Sequence, residues 1–237
     1  MTMKQQPIFY ALIAFLAIWM ESCNQDLGPY KEVNRTYSQT NFDRLDIGSA
    51  FHVDVRSGST FAINIRGNEA DVNDLDLSVH NGVFHAEYRG TGRRQRYDTY
   101  FTITMPTLRG VSFSSAVQST ITGFANLTEV DVTLSGASKA NLNLTATRLN
   151  TDLSGASSAA IIGSGTTLAG ELSGASKLEA YDFPVTQADL DVSGASSAKI
   201  RVQDALTVKA SGASTVRYRG TPRINSTLSG ASTLSQE

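Results

Sequence analysis

The amino-acid sequence predicts an all-β chain whose larger part is wound as a parallel β-solenoid with coils of about 19 residues. Three observations predict it. The tetrapeptide Ser-Gly-Ala-Ser begins at Ser135, Ser154, Ser173, Ser193, Ser211 and Ser229, so its six copies start 19, 19, 20, 18 and 18 residues apart. Between copies, apolar and polar residues alternate with the period of a strand. Ser and Thr together number 51 of 237 residues, with 19 Gly and 8% aromatic side chains, while 41% of the chain is apolar. That is too little bulk for a wide core and too much apolar character for disorder, so the core is expected to be thin and long.

The first element is an address. After Lys4, residues Ile8 to Met20 form an apolar run of 13, shorter than the ~20 residues a spanning helix needs and suited to a signal-peptide core. Met20-Glu21-Ser22-Cys23 follows and holds the only cysteine. A small residue before a lone Cys at this place resembles the bacterial lipobox. Cys23 is therefore the expected lipidation site, residues 1–22 the signal peptide, and residues 23–40 a polar, acylated tether. The acyl chains would anchor the protein to a membrane without a span. A disulfide role is excluded for want of a second cysteine.

Residues 41–110 read as irregular β structure that either caps the solenoid or forms its first coils. Strands are expected over Phe42–Ile47, Ala50–Arg56, Phe61–Arg66 and Tyr97–Met105, with Pro106 ending the last. Leu75–His80 and Val83–Tyr88 flank Asn81-Gly82, a two-residue hairpin signal. The polar segment before them, including Gly28-Pro29, reads as tether.

Residues 111–237 are the repeat. In one period Ala140, Leu142 and Leu144 point one way, then Leu149, Thr151 and Leu153, with breaker residues between: Gly163-Ser164-Gly165, Asp182-Phe183-Pro184, Gly220-Thr221-Pro222 in other copies. Each repeat is thus strand, corner, strand, Ser-Gly-Ala-Ser corner. A degenerate corner, Ser114-Ser115-Ala116-Val117, precedes the first copy. The expectation for the corner is an inward column of alanines (Ala137, Ala156, Ala175, Ala195, Ala213, Ala231), glycines at the bend, and serines bonding to neighbouring coils.

Phe42-Asp43-Arg44-Leu45-Asp46-Ile47, Phe51-His52-Val53-Asp54-Val55, Asn81-Gly82-Val83, Met105-Pro106-Thr107-Leu108 and the serial Ser-Gly-Ala-Ser resemble the putative auto-transporter adhesin head GIN domain family over Phe42 to Glu237. The resemblance implies a right-handed parallel β-solenoid in a lipoprotein or secreted protein of Bacteroidetes-type bacteria. It brings no catalytic residues and no defined ligand.

The near-neutral charge, −2, argues against nucleic-acid binding driven by phosphate neutralisation. Residues 111–237 contain neither His nor Cys, which removes Ser–His–Asp, Cys–His and ordinary zinc sites from the repeats. His52 reads as a strand-face residue; His80 and His85 face each other across the hairpin. Asp71, Asp74 and Asp76 lack an EF-hand's spacing and read as a solvated loop. Arg93, Arg94 and Arg96 form a candidate contact for anions. Two positions before successive corners stand Thr133, Asp152, Glu171, Asp191 and Lys209, so Asp152, Glu171 and Asp191 would stack as a candidate cation or ligand surface, with Lys139 and Lys177 offsetting their repulsion. No catalytic, cofactor or metal site is assigned.

The function this supports is a non-enzymatic envelope lipoprotein of the outer membrane, adhesin-like, binding a glycan or an envelope protein and self-associating through its last coil. The alternatives are a carbohydrate-active β-helix enzyme and a structural envelope protein with no external ligand.

Overall fold

A computed structural model describes residues 27–90 and 95–237. Its sixteen strands form one sheet that winds back on itself. They are β1 (Glu32–Tyr37), β2 (Arg44–Ile47), β3 (His52–Ser57), β4 (Ala62–Asn68), β5 (Leu75–His80), β6 (Val83–Tyr88), β7 (Tyr100–Met105), β8 (Gly110–Phe113), β9 (Gln118–Leu134), β10 (Lys139–Leu153), β11 (Ser158–Leu172), β12 (Lys177–Val192), β13 (Ser197–Ala210), β14 (Thr215–Arg219), β15 (Arg223–Leu228) and β16 (Thr233–Gln236). One short helix, α1 (Glu69–Asn73), follows β4. Among the described residues no helix is long and apolar enough to cross a membrane.

From β9 onward each coil lies in parallel register on the one before. Lys139 pairs with Ser158, Ser158 with Lys177, Lys177 with Ser197, Ser197 with Thr215, and Thr215 with Thr233. The solenoid is thus confirmed, and the inward set is Ala140, Leu142, Leu144, Leu149 and Leu153, with equivalents in each coil. The second corner is a bend inside a continuous strand: β10 to β13 run through it, and the register slips there. Gly165 belongs to this bend because the ring of Phe183, one coil on, lies 2.8 Å from where a Cβ would stand.

The Ser-Gly-Ala-Ser corner differs from expectation. The alanines are exposed, and the second serine points inward: Ser138, Ser157, Ser176, Ser196 and Ser214 are buried. Parity is the reason. Counting back by twos from Leu142 and Ala140 arrives at Ser138, while the two turn residues Gly136 and Ala137 stand outside. The inward hydroxyl caps a backbone carbonyl of the coil below, as Ser157 Oγ donates to Leu134 O (3.2 Å), Ser176 Oγ to Leu153 O (3.1 Å) and Ser214 Oγ to Val192 O (3.1 Å). Glycine has positive φ at every copy, from 68° to 73°, while the alanine after it does not, the sign pattern of a type II′ turn.

Residues 41–110 prove to be both coil and cap. β2 pairs in parallel with β6 on one side and β8 on the other, and β3 likewise with β7 and β9. The winding therefore starts, at β2 and β3, in the middle of a three-coil stack. It descends through β4, α1 and the β5–β6 hairpin, lays down the lower coil as β6 and β7, then passes Pro106 and rises to place β8 above β2. Gly48-Ser49-Ala50-Phe51 is the corner of the first coil, with positive φ at Ser49 and Ala50, as at Ser115 and Ala116, and with Phe51 and Val117 buried where the later corners have serine. Phe51, Phe84, Phe101 and Phe113 widen the core here. β1 and β4 close the wide end, β1 antiparallel to β4 and β4 antiparallel to β7. Residues 32–37, read as tether, are therefore an ordered edge strand.

Candidate functional site

Cys23, Arg93 and Arg94 lie outside the described residues. Arg96 is committed elsewhere than to an external anion. Its guanidinium pairs with Asp71 (3.4 Å) and Asp74 and lies over the Tyr88 ring, 3.7 Å from the centroid. Asp71, read as part of a solvated loop, is fully buried and also accepts from the Tyr97 amide (3.1 Å) and the Asn68 side chain (3.3 Å). A carboxylate can be buried only with such partners. These groups clamp the segment after β6 against α1, a structural role.

The acidic column is assembled as the spacing implied: Thr133, Asp152, Glu171, Asp191 and Lys209 are consecutive partners. Among the described residues no three His, Cys, Asp or Glu side chains come together to hold a metal ion. The expected compensation by Lys177 does not occur, since its ammonium pairs with Glu179 at 2.6 Å on the other limb of the coil. Beside the column, Asp131 binds Arg44 (2.9 Å) and the Asn150 amide (2.8 Å). Burial pushes the Asp131 carboxyl upward, but these two partners outweigh it and hold its pKa below the usual value.

His52 stands on a strand face, stacked on Tyr100 with centroids 4.8 Å apart and 18° between planes. His80 and His85 are neighbours at 6.4 Å, but His85 Nδ1 contacts Asp46 at 3.1 Å across β6 and β2. Register places Ser78 on the other side of His85. This Ser–His–Asp order sits on an exposed sheet surface, and among the described residues Ser78 makes no hydrogen bond to His85. A nucleophile needs that contact and a pocket around the reacting carbonyl.

A polar groove of about 950 Å³ lies where the cap meets the solenoid. Its floor is a row of outward side chains in mutual register: Asn64, Thr102, Asp54, Thr120 and Asn141. A parallel row stacks three planar groups, with the Arg66 guanidinium 4.4 Å from the Tyr100 centroid and Tyr100 against His52. Arg56 is paired with Asp54 and Lys139 lies at one end. The groove offers donors and acceptors one strand step apart, about 4.8 Å, and suits a hydroxyl-rich ligand. Sequence reasoning missed it because its strands are scattered over the chain and brought together by the insertion of β2–β3 between later coils. The one available signal was the alternation of Asn and Thr on the outward positions of each strand.

Comparison with known proteins agrees with this architecture. A putative adhesin of Bacteroides fragilis superposes with a TM-score of 0.79 at 19% identity, over 87% of this chain and 97% of that one. A putative adhesin of Parabacteroides distasonis gives 0.70 at 15% identity, over 89% and 98%. A protein of the same species described as a putative lipid binding protein gives 0.67 at 12%, over 87% and 96%. No curated protein matches in sequence. The profile of the family "Putative auto-transporter adhesin, head GIN domain" matches residues 41–222, from the strand that enters the first coil to the last bend, and the chain belongs to that family.

Proposed function

We propose that the protein is a non-catalytic binding module of the adhesin type, held at the cell envelope by acylation of Cys23, presenting the groove and the sheet face that continues it. One observation carries this reading. A single outward face runs through eleven hydrogen-bonded strands from β1 to β16, furnished with polar and charged side chains and bounded by corners of Ser, Gly and Ala too small to wall a cleft. A glycosidase or lyase on such a scaffold needs paired carboxylates in a cleft, whereas the stacked carboxylates here are exposed on a flat limb. The family's description as adhesins and the signal-like segment before Cys23 support an envelope location.

The test is made on cells. Loss of the protein should reduce attachment to a surface that the purified full chain also coats. Cys23→Ala should abolish incorporation of a labelled fatty acid and release the chain from the membrane fraction. External protease should remove it from intact cells if the face is displayed outward. Unchanged attachment in the deletion strain would refute the adhesin reading, and new reducing ends or unsaturated products from a polysaccharide panel would refute the absence of catalysis.

A further inference from the structure

The net charge of −2 conceals a separation of sign between the two limbs of the solenoid. On the limb that follows each Ser-Gly-Ala-Ser corner, the outward residues from β10 to β16 include, among the described residues, Lys139, Lys177, Lys199, Arg201, Arg217 and Arg219, against the carboxylates Glu179 and Glu237. Each carboxylate is shared. Glu179 lies 2.6 Å from Lys177 and 3.4 Å from Lys199. Glu237 lies 3.1 Å from Arg217 and 3.9 Å from Arg219. Each trio therefore keeps one positive charge, and Lys139 and Arg201 add theirs. Asp182 and Asp204 stand at the bends, on the margin of this face. The other limb bears Glu129, Asp131, Asp152, Glu171, Asp189 and Asp191 against Arg148, Lys209 and Arg223, with Arg44 of β2 paired to Asp131. With only a thin apolar layer between them, the limbs present fields of opposite sign.

We propose that the basic limb binds an acidic polysaccharide, a polymer of uronic-acid type, laid across the strands with one end in the groove. This deepens the adhesin reading and rests on it. Charge complementarity argues for a polyanion. The residues among the cations argue for a sugar: Asn141, Asn143, Ser158, Ser197 and Thr215 are short amides and hydroxyls facing outward, matched to ring hydroxyls rather than to acyl chains. An anionic bilayer is a poorer fit, because Ile162 is the large exposed apolar side chain on this limb and interfacial binding needs an apolar face. A single-stranded nucleic acid is also a poorer fit. It needs free aromatic platforms, and the Tyr181 ring is covered by the Arg219 guanidinium at 4.1 Å from its centroid. From Lys139 on β10 to Arg217 on β14 is four strand steps, about 19 Å, room for several sugar units. Lys139 belongs to both the strip and the groove wall, so the two surfaces are continuous.

The test uses the purified full chain with polygalacturonate and its fully methyl-esterified form as probes. The acidic polymer should bind, the ester about tenfold more weakly or not at all, and raising salt from about 0.05 to 0.5 M should weaken binding by a similar factor. Combining Lys199→Ala, Arg201→Ala and Arg217→Ala should weaken it about tenfold or more, while Asp152→Asn with Glu171→Gln on the opposite limb should leave it within about twofold. Equal binding of the ester, insensitivity to salt, reversal of the two variants' effects, or retention by phosphatidylglycerol vesicles instead of the polymer would overturn the proposal. Absence of polymer binding with attachment of cells intact would overturn this inference alone. Polymer binding with attachment unaffected by deletion would overturn the adhesin reading and leave the site standing.

Discussion

Gly174→Ala should be costly in a way that Gly136→Ala is not, although both glycines occupy the same place in the same tetrapeptide. Gly174 has φ of 73°, and a Cβ there would stand 2.5 Å from Gly155 O and 3.1 Å from Gly155 N. The left-handed conformation alone costs an L-residue about 1–2 kcal/mol. Relieving the contact means lifting one corner off the next, and Gly155 O is the acceptor of the 2.7 Å bond from the Ala175 amide, whose loss adds about 1 kcal/mol. The total is about 2–3 kcal/mol. Gly136 lies over the degenerate corner, where the nearest atom to an added Cβ is Ser115 N at 3.2 Å, so its cost should stay near the conformational term of about 1–2 kcal/mol. Urea denaturation followed by far-ultraviolet circular dichroism measures both. Amide exchange at Ala175 and Lys177 guards against coil-by-coil unfolding, which repeat arrays permit. If Gly174→Ala were no more destabilising than Gly136→Ala, close stacking of the corners would not be what requires glycine.

Three further outcomes are expected. Ser176→Ala should cost about 1 kcal/mol by removing one of the two hydrogen bonds to Leu153 O, the other coming from the Ser173 amide, whereas Ser138→Ala should be neutral or stabilising, since Ser138 Oγ is buried without a partner among the described residues; paired thermal melts distinguish them. Arg96→Ala should destabilise by about 3–5 kcal/mol because it takes a charged partner from the buried Asp71 carboxylate, whereas Arg56→Ala at an exposed pair should leave stability nearly unchanged, both read from urea midpoints. Burial, and then its hydrogen bond to Glu237, push the Tyr181 hydroxyl up to about 12. Because the folded value is the higher one, its contribution to stability is complete below the unfolded value and is lost as pH rises toward 12. A spectroscopic titration should show late-ionising tyrosine absorbance, to which Tyr88, also pushed up by burial, contributes, and Tyr181→Phe should remove its latest part.

How much of this was legible depended on whether a feature was local. The Ser-Gly-Ala-Ser spacing fixed the coil length, and the alternation of Ala140, Leu142 and Leu144 fixed which side chains fill the core. Asn81-Gly82 marked its hairpin, with positive φ at both residues. The same alternation, carried two residues back across the corner, would have put Ser138 inside and Ala137 outside; treating the tetrapeptide as a separate unit broke the count. The insertion of β2–β3 between later coils was illegible, because parallel pairing between strands some sixty residues apart, such as His52 with Gln118, leaves no periodic trace. The burial of Asp71 was hidden likewise, since its partners Arg96 and Tyr97 arrive from the far end of a long connection.

The fold dictates what lies inside each coil far more tightly than what lies outside. Inward positions must stack with their equivalents above and below, which favours Leu, Val, Ile and Ala, with Phe183 at a bend and the carbonyl-capping serines at the corners. Outward positions have no such partner requirement, and stability alone would favour opposite charges on successive coils, because like charges in register repel. The Asp152, Glu171, Asp191 row does the reverse, and so does the Arg217–Ser235 neighbourhood facing Lys199, where cations gather on three adjoining strands with two shared carboxylates between them. Charges of one sign on one limb and the other sign on its back therefore cost the solenoid some stability. A physical role for that segregation must come from outside the chain, in what the basic limb meets.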